Sequence, residues 1–435
     1  MNNRLKLKNL YKFNVYHIAL FVILFISFFI TALSVFKINT SILALMHLIP
    51  IGILINKLKI RLNLINTLWI IFAMFIIVWN KDFSHGNYIG FFSMIMTIYI
   101  MLIFQNDIKW ADTAKKMLTF FVMLHACLGW LFLILKPLYI SLVIPRFPAS
   151  KQGVLRSFAS SNVLIGLTNH YSTSGIYCSI GLIVAFCFFI QKPKLKKYMA
   201  FLFFMMISLV FTQKRGPLAF AVCSCIVIYF VYKKINIKTI MKFIAIVAVL
   251  GIVVIYAYIN IESVNNALSR FLEFSDENAD VSNGRMPLYG LAIDIFKENP
   301  LLGIGWGGYR YEYTKYRFLG GTAETMNAHN IYLQVLSEIG ILGFVMLYSL
   351  MIYTFIKSIE ILRKKDTYHL SESEQWMMML SVGIQTLFFL SGIVENVIYY
   401  QQILYPYALV CAYTYYEMIK LKKSPFYKRK FIIKY

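Results

Sequence analysis

The residues best suited to chemistry lie in one polar stretch, residues 283–343, that interrupts an otherwise apolar chain. Arg285 lies near its start in the run NGRMPLYG, and His329 and Asn330 lie further on in the run AHNIYLQ. An arginine presents a planar fork of donors that binds phosphate oxygens bidentately, and it stays charged at any relevant pH. An imidazole has an ordinary pKa that suits general-base work near neutral pH. The stretch therefore predicts a site that binds an anion and moves a proton, although His329 alone could also be a structural histidine.

A short helix is predicted to position Arg285. Pro287 falls in the first turn, apolar residues follow at helical spacing, and Asn299 and Pro300 end the pattern. We expect this helix to lie along the membrane surface with its apolar side down. Because a helix N-terminus already carries partial positive charge, an arginine there opposes helix stability, and a bound anion explains it better.

The run LLGIGWGGY, 301–309, superficially matches the GxGxxG of dinucleotide sites. No strand is predicted before it and no helix pattern after it, so we reject that interpretation. The glycines indicate a tight turn in which the backbone approaches a partner or ligand closely.

The composition is that of a polytopic membrane protein. Of 435 residues, 59% are hydrophobic and only 14% are charged, and apolar runs of bilayer length recur along the chain. The net charge of +24 comes from lysines that cluster in short loops, where they fix topology, so nucleic acid is rejected as a partner and membrane lipids are expected. The six cysteines lie in apolar runs, so neither a disulfide framework nor a zinc site is predicted.

The chain is predicted to be all-α, with about 12 transmembrane helices and one large extracytoplasmic loop that contains short helices. The loops on one face hold 29 of the 43 basic residues, which places both termini in the cytoplasm. Three regions follow: residues 1–259 with helices 1–9, the loop 260–330, and residues 331–435 with helices 10–12 and a basic tail. The predicted spans are 15–36, 41–55, 64–80, 88–104, 117–135, 173–190, 199–212, 218–232, 243–259, 331–356, 376–394 and 402–418.

The arginines have a different distribution from the lysines. Seven of the eleven arginines fall on the outer face, as a phosphate or pyrophosphate substrate would require, although binding to lipid headgroups or to the loop's own acids is the alternative. These seven are Arg146, Arg156, Arg215, Arg270, Arg285, Arg310 and Arg317.

Two further outer segments could contribute to a pocket. Residues 136–172 contain Arg156 and His170, and their Pro, Ser and Asn content predicts irregular structure that could form one wall. The turn QKRGP, 213–217, holds Lys214 and Arg215 at the outer bilayer surface, where snorkelling of the side chains is the alternative explanation. The acidic part of the large loop lacks histidine and EF-hand spacing, so no metal or cofactor is predicted.

The motifs GRMPLYGLAIDIFKENPLLGIGWGGY and AHNIYLQVLSEIGILG, with TQKRGP at 212–217, resemble those of the O-antigen ligase and polymerase superfamily. The resemblance implies a metal-independent, inverting glycosyltransferase that uses undecaprenyl-diphosphate-linked sugars outside the bacterial cytoplasmic membrane. By motif position, Arg215 and Arg285 would hold the lipid diphosphate and His329 would activate the acceptor hydroxyl. Arg156 is added as a third diphosphate-binding residue from its loop position, and Lys214, His170 and Asn330 are added as supporting residues.

Three functions stay open from the sequence. A polymerase of capsule, exopolysaccharide or O-antigen would join lipid-linked repeats, with flippase and chain-length regulator proteins as pathway partners. A ligase would pass finished polymer to lipid A core or another acceptor. A flippase would move the lipid-linked oligosaccharide across the membrane. The polymerase is the preferred function.

Two residue roles also stay open. His170 is the rival to His329 as the general base, and Asn330 is a candidate to orient the His329 ring.

Overall fold

The computed structural model describes residues 15–33, 45–57, 63–81, 89–168, 170–233, 285–316 and 326–423, with isolated positions at 42, 241, 245, 249, 252, 256, 259 and 260. Most of the predicted ninth span, 243–259, lies outside the described residues. So do loop residues 261–284, Arg317 and the ends of both termini.

The described residues are helical and contain no strand, which confirms the predicted all-α class. The helices, numbered in chain order, are α1 Val15–Leu33, α2 Ile49–Leu54, α3 Leu64–Val78, α4 Ile89–Phe104, α5 Ala111–Ile134, α6 Ala149–Ser160, α7 Tyr171–Gln191, α8 Lys196–Phe211, α9 Arg215–Tyr232, α10 Met286–Glu298, α11 Tyr309–Tyr316, α12 Ile331–Arg363, α13 Glu372–Ser391 and α14 Gln401–Lys423.

Four helices, α5, α7, α9 and α12, are long and apolar enough to cross a membrane. Shorter apolar helical segments lie in α1, α3 and α4. Together they support an integral membrane protein, and the count of twelve spans stays a prediction. Helix α7 lies at the centre of the bundle, where it packs against α5, α8, α9, α13 and α14.

Three local predictions are wrong. Residues 136–172 are not irregular: α6 forms there, and its buried Leu155 and Ala159 pack in a small apolar cluster with Phe147. Helix α11 follows the glycine-rich run, although no helix was predicted after it. Helix α10 has the predicted bounds, but buried Ala292 and Ile295 pack on protein, including Tyr309 and Ala328. Its apolar stripe is therefore covered by the chain itself and is not available to the bilayer.

A hydroxyl network joins α12, α13 and α14 inside the bundle. The Ser358 and Thr414 hydroxyls lie 2.9 Å apart, and Ser381 lies 2.8 Å from Thr414. The Gln385 amide donates to Ser358 at 2.7 Å. All four residues are fully buried, so these bonds are made where water cannot replace them, and they fix the relative positions of the three helices.

The glycine-rich run 301–308 crosses α12 in backbone-to-backbone contact. The Gly305 N–H donates to the Glu338 carbonyl at 2.7 Å, and the Ile341 N–H donates to the Pro300 carbonyl at 2.9 Å. Helix α12 is kinked between these contacts at Gly340, whose φ is 61° and ψ is −171°. A Cβ on Gly340 would lie 2.3 Å from the Leu301 carbonyl oxygen, and one on Gly303 would lie 2.4 Å from the Glu338 carbonyl carbon. Only glycine allows this approach.

The same run is held from its other side by the end of α3. The Trp306 N–H donates to the Trp79 carbonyl at 2.7 Å, and the Lys81 N–H donates to the Trp306 carbonyl at 2.9 Å. The Trp306 side chain is fully buried and packs edge-on to Phe72 at 6.5 Å between ring centroids. The run is therefore fixed between α3 and α12.

We predict that Gly340→Ala destabilises the protein. The left-handed backbone at this position alone costs a residue with a Cβ about 1–3 kcal/mol, and the contact with Leu301 adds to that cost. The measurement is the thermal denaturation of the purified protein in detergent. Gly290→Ala in α10 is the matched control, because its new Cβ meets no atom within 4 Å and alanine favours a helix. Equal melting temperatures for the two variants would contradict the role of the crossing.

Candidate functional site

Glu338 anchors the glycine-rich run to α12 from a fully buried position. Its carboxylate accepts hydrogen bonds from the backbone N–H groups of Gly307 at 3.0 Å and Tyr309 at 3.3 Å. The Gln334 amide donates to it at 3.0 Å, and the Tyr399 hydroxyl donates as well. A buried carboxylate with this many donors is well satisfied, so Glu338 supports the site without being free to react.

His329 is held by bonds to the residues on either side of it. The Ala328 N–H donates to Gln334 Oε1 at 2.9 Å, and the Ile331 N–H donates to the Gly392 carbonyl at 2.9 Å. His329 itself has a φ of 53°, in the left-handed region that residues with a side chain seldom adopt. The bonds on both sides stabilise this conformation and aim the half-buried ring.

Three charged groups act on the His329 ring. Burial lowers the pKa of His329 below its ordinary 6.5, Glu395 opposes this shift, and the positive charges of Arg285 and Lys214 add to it. The ring is therefore neutral at neutral pH and has a lone pair for a proton. Its Nδ1 is buried and has no hydrogen-bond partner.

Arg285 is placed at the start of α10, as predicted. It is the residue that precedes the first turn, with Pro287 inside that turn, and it is half-buried. Its charge acts on His329 and also on Tyr400. Burial raises the pKa of Tyr400 and Glu395 raises it further, whereas Arg310 and Arg285 oppose the rise. Arg285 thus faces the segment between α13 and α14 as well as His329.

Lys214 and Arg215 lie at the start of α9, and this end of the helix lies near Glu395 and His329. The Lys214 ammonium lies 3.8 Å from Glu395 Oε1 and 4.3 Å from the centre of the Tyr171 ring. Arg215 is the first residue of α9. The structure therefore brings the turn 213–217 and the start of α10 to one site, although they are far apart in sequence.

His170 borders this site and caps α7. Its Nδ1 accepts a hydrogen bond from the Ser172 N–H at 3.1 Å. Although part of the residue is exposed, burial lowers the pKa of His170 to about 4, with help from Lys214, Lys151 and His329. In the neutral ring Nδ1 is thus used by the backbone and the proton lies on Nε2.

Two predicted residues have other positions or contacts. Asn330 caps α12: its side-chain oxygen accepts from the N–H groups of Tyr332 at 3.0 Å and Leu333 at 3.1 Å, and its role in orienting the His329 ring stays a prediction. Arg156 is exposed on α6, and no contact in the described structure ties it to His329 or Arg285. Within the described part of the chain, no cluster of three or more His, Cys, Asp or Glu side chains could hold a metal ion.

Residues 200–348 match the family described as O-Antigen ligase. The match supports the resemblance of this segment to the O-antigen ligase and polymerase superfamily. The match includes Lys214, Arg215, Arg285 and His329, and with the apolar helices it indicates a glycosyltransferase-like membrane enzyme. No curated protein matches the chain.

Sequence reasoning missed Glu395, which lies beyond the O-antigen ligase segment in the turn between α13 and α14. It also gave no site role to Arg310, whose guanidinium lies 5.2 Å from the centre of the Tyr399 ring. A signal for Glu395 does exist in the sequence. It is an acid in the short run SGIVENVIYY between two apolar helices, where a charge is costly unless it has a partner.

We predict that Arg285→Gln raises the pKa of His329. Arg285 disfavours the protonated ring, so its removal should move the pKa up towards 6.5, whereas the native ring should titrate below 6.5. The measurement is the pH dependence of diethylpyrocarbonate modification of the His329 peptide by mass spectrometry. Lys297→Gln, an exposed lysine on the same helix, is the matched control. A lower pKa in Arg285→Gln would contradict the arrangement.

Proposed function

We propose that this chain is a bacterial cell-surface polysaccharide polymerase. It transfers glycan from undecaprenyl diphosphate to a sugar hydroxyl of another lipid-linked repeat, in the assembly of a capsule, exopolysaccharide or O-antigen. The observation that carries the proposal is the convergence of Arg285 and Lys214 on a neutral His329 within an O-antigen ligase segment. Positive charges such as Arg285 and Lys214 can bind a diphosphate, and a neutral imidazole such as His329 can take the proton of an attacking hydroxyl.

The proposed setting is the cytoplasmic membrane, crossed about twelve times, with both termini in the cytoplasm and the site on the extracytoplasmic face. The seven outer-face arginines and the basic cytoplasmic loops support this orientation. Flippase and chain-length regulator proteins of the same pathway are the proposed partners.

In the proposed reaction the acceptor hydroxyl gives its proton to His329 while its oxygen bonds to the anomeric carbon. The bond from that carbon to the diphosphate breaks, and the diphosphate leaves with the electron pair. Arg285 and Arg215 bind the departing oxygens, with Lys214 beside them, so their positive charge stabilises the leaving group without a metal. A single displacement of this kind inverts the anomeric centre. Arg156 is proposed as an outer contact to the same lipid diphosphate.

Nε2 is the proposed basic atom of His329, because Nδ1 is buried. His170 is the weaker candidate. Its Nδ1 lone pair already accepts from the Ser172 N–H, so neutral His170 has its proton on Nε2 and no free lone pair.

Ligase activity is the second candidate, and the description of the matching family favours it. A flippase is the candidate from another class. Glycan analysis of a deletion strain separates the three. We expect single repeats to remain on lipid, as loss of a polymerase requires. Long polymer stranded on lipid would indicate a ligase, and loss of outward-facing repeats would indicate a flippase.

We predict that His329→Ala lowers turnover by about 10² to 10⁴, the usual contribution of a general base, while donor binding is largely kept. The measurement is turnover of the purified full chain on a lipid-linked repeat at equal protein content. His170→Ala is the comparison and should retain far more activity. Near-normal turnover in His329→Ala with collapse in His170→Ala would move the base to His170.

We predict that Arg285→Lys also lowers turnover sharply at normal protein levels, because lysine keeps the charge but loses the planar fork that binds two oxygens. The same turnover assay measures this loss. Arg363→Lys, at the far end of α12, is the matched control. Full activity in Arg285→Lys would show that bidentate binding by this residue is not needed.

A further inference from the structure

Glu395 lies in the turn that joins α13 to α14, and this turn contacts both parts of the site. The Glu395 N–H donates to the Ser391 carbonyl at 2.9 Å, which fixes the start of the turn. On one side, Val394 Cγ2 lies 3.6 Å from where a Cβ on Gly216 would be. On the other side, the Gly392 carbonyl accepts from the Ile331 N–H at 2.9 Å, two residues after His329. The turn therefore fixes Glu395 between the start of α9 and His329.

The Glu395 carboxylate is nearly buried but only loosely paired. The residue is 7% exposed, and its ion pair with Lys214 spans 3.8 Å, longer than a hydrogen bond. The Lys214 ammonium is shared with the Tyr171 ring at 4.3 Å. A buried carboxylate is costly to keep charged unless other groups stabilise it. At 3.8 Å the ion pair leaves the Glu395 carboxylate with hydrogen-bond accepting capacity that Lys214 does not use.

The site needs such a charge when His329 becomes protonated. The charged and titratable groups around His329 are Arg285 at the start of α10, Lys214 at the start of α9, His170 at the start of α7, Glu395 in the α13–α14 turn, and Tyr289 of α10, whose hydroxyl donates to the His329 carbonyl at 3.5 Å. Two of these carry full positive charge, so an imidazolium here is disfavoured by its neighbours. Glu395 is the acid whose charge acts in the opposite direction.

We propose that Glu395 is the positioning residue of His329, whose carboxylate stabilises the imidazolium formed when the ring takes the acceptor proton. This inference rests on the proposed function. The proton moves from the acceptor hydroxyl to Nε2, the hydroxyl electron pair forms the new bond to the anomeric carbon, and the diphosphate leaves with the old bonding pair. The ring then carries N–H groups on both nitrogens, and Glu395 offsets its charge.

The first test is the pH profile of turnover on a lipid-linked repeat. Glu395→Gln should lower the maximal rate at least about tenfold and move the acid limb to lower pH, because the ring becomes a weaker base. Glu395→Asp keeps the charge and should retain the position of the limb. Glu298→Gln, an exposed acid at the end of α10, is the matched control and should leave both unchanged. If Glu395→Gln changed neither the acid limb of the pH profile nor the maximal rate, the proposal would be overturned.

The second test needs no activity and therefore separates this proposal from the proposed function. Diethylpyrocarbonate modification of the His329 peptide should give a lower pKa in Glu395→Gln, with the exposed His369 peptide as internal reference. Lys214→Met should shift the His329 pKa upwards, because it removes a positive neighbour. If Glu395→Gln does not fold, the pKa of His329 in Glu395→Asp and in Lys214→Met still tests the proposal. A downward shift in Lys214→Met, or a large shift in Glu395→Asp, would overturn the proposal. If the predicted shifts appear while His329→Ala stays active, the electrostatic role is supported and the general-base mechanism fails.

Discussion

The crossing of the glycine-rich run over the kink of α12 is the constraint on which the site depends. The backbone of Gly340 lies against Leu301 and the backbone of Gly303 lies against Glu338, with no room for a side chain at either glycine. The Glu338 carboxylate closes the contact by accepting from the backbone N–H groups of Gly307 and Tyr309. Upstream of the run, α10 carries Arg285; at the start of α12 lies His329. Because one contact joins the two segments, the backbone positions of Arg285 and His329 are fixed relative to each other.

The charges of this site fit the proposed anionic ligand. Arg285 and Lys214 approach the same ring, with Glu395 as the opposing charge, in a partly buried place where screening by water is weak. Like charges held close together cost free energy. An anion with several oxygens removes that cost, because each oxygen pair can accept from a guanidinium or ammonium group. The arrangement therefore favours a polyanionic ligand over a neutral sugar.

Local features of the site could be predicted from the sequence, and its long-range contacts could not. Pro287 and the Asn299-Pro300 stop gave the bounds of α10, and the apolar run after Asn330 gave the start of α12. These helix boundaries are encoded within a few residues of the sequence. Glu395 joins the site only through the packing of the α13–α14 turn against Gly216 and Ile331, which no local pattern contains. The contact expected between the apolar stripe of α10 and the bilayer was wrong for the same reason, because the stripe packs on Tyr309 and Ala328, which lie elsewhere in the chain.

The same electrostatics couples the two substrates of the proposed reaction. Burial lowers the pKa of His329, and the positive charges of Arg285 and Lys214 lower it further, so the ring is neutral but a weak base. A diphosphate bound to these cations would offset their charge and let the pKa of His329 rise, with Glu395 favouring the same direction. A base gains strength as its pKa rises towards the working pH. His329 would then become an effective base only once the donor is in place, so that the acceptor hydroxyl is activated when there is an anomeric carbon for it to attack.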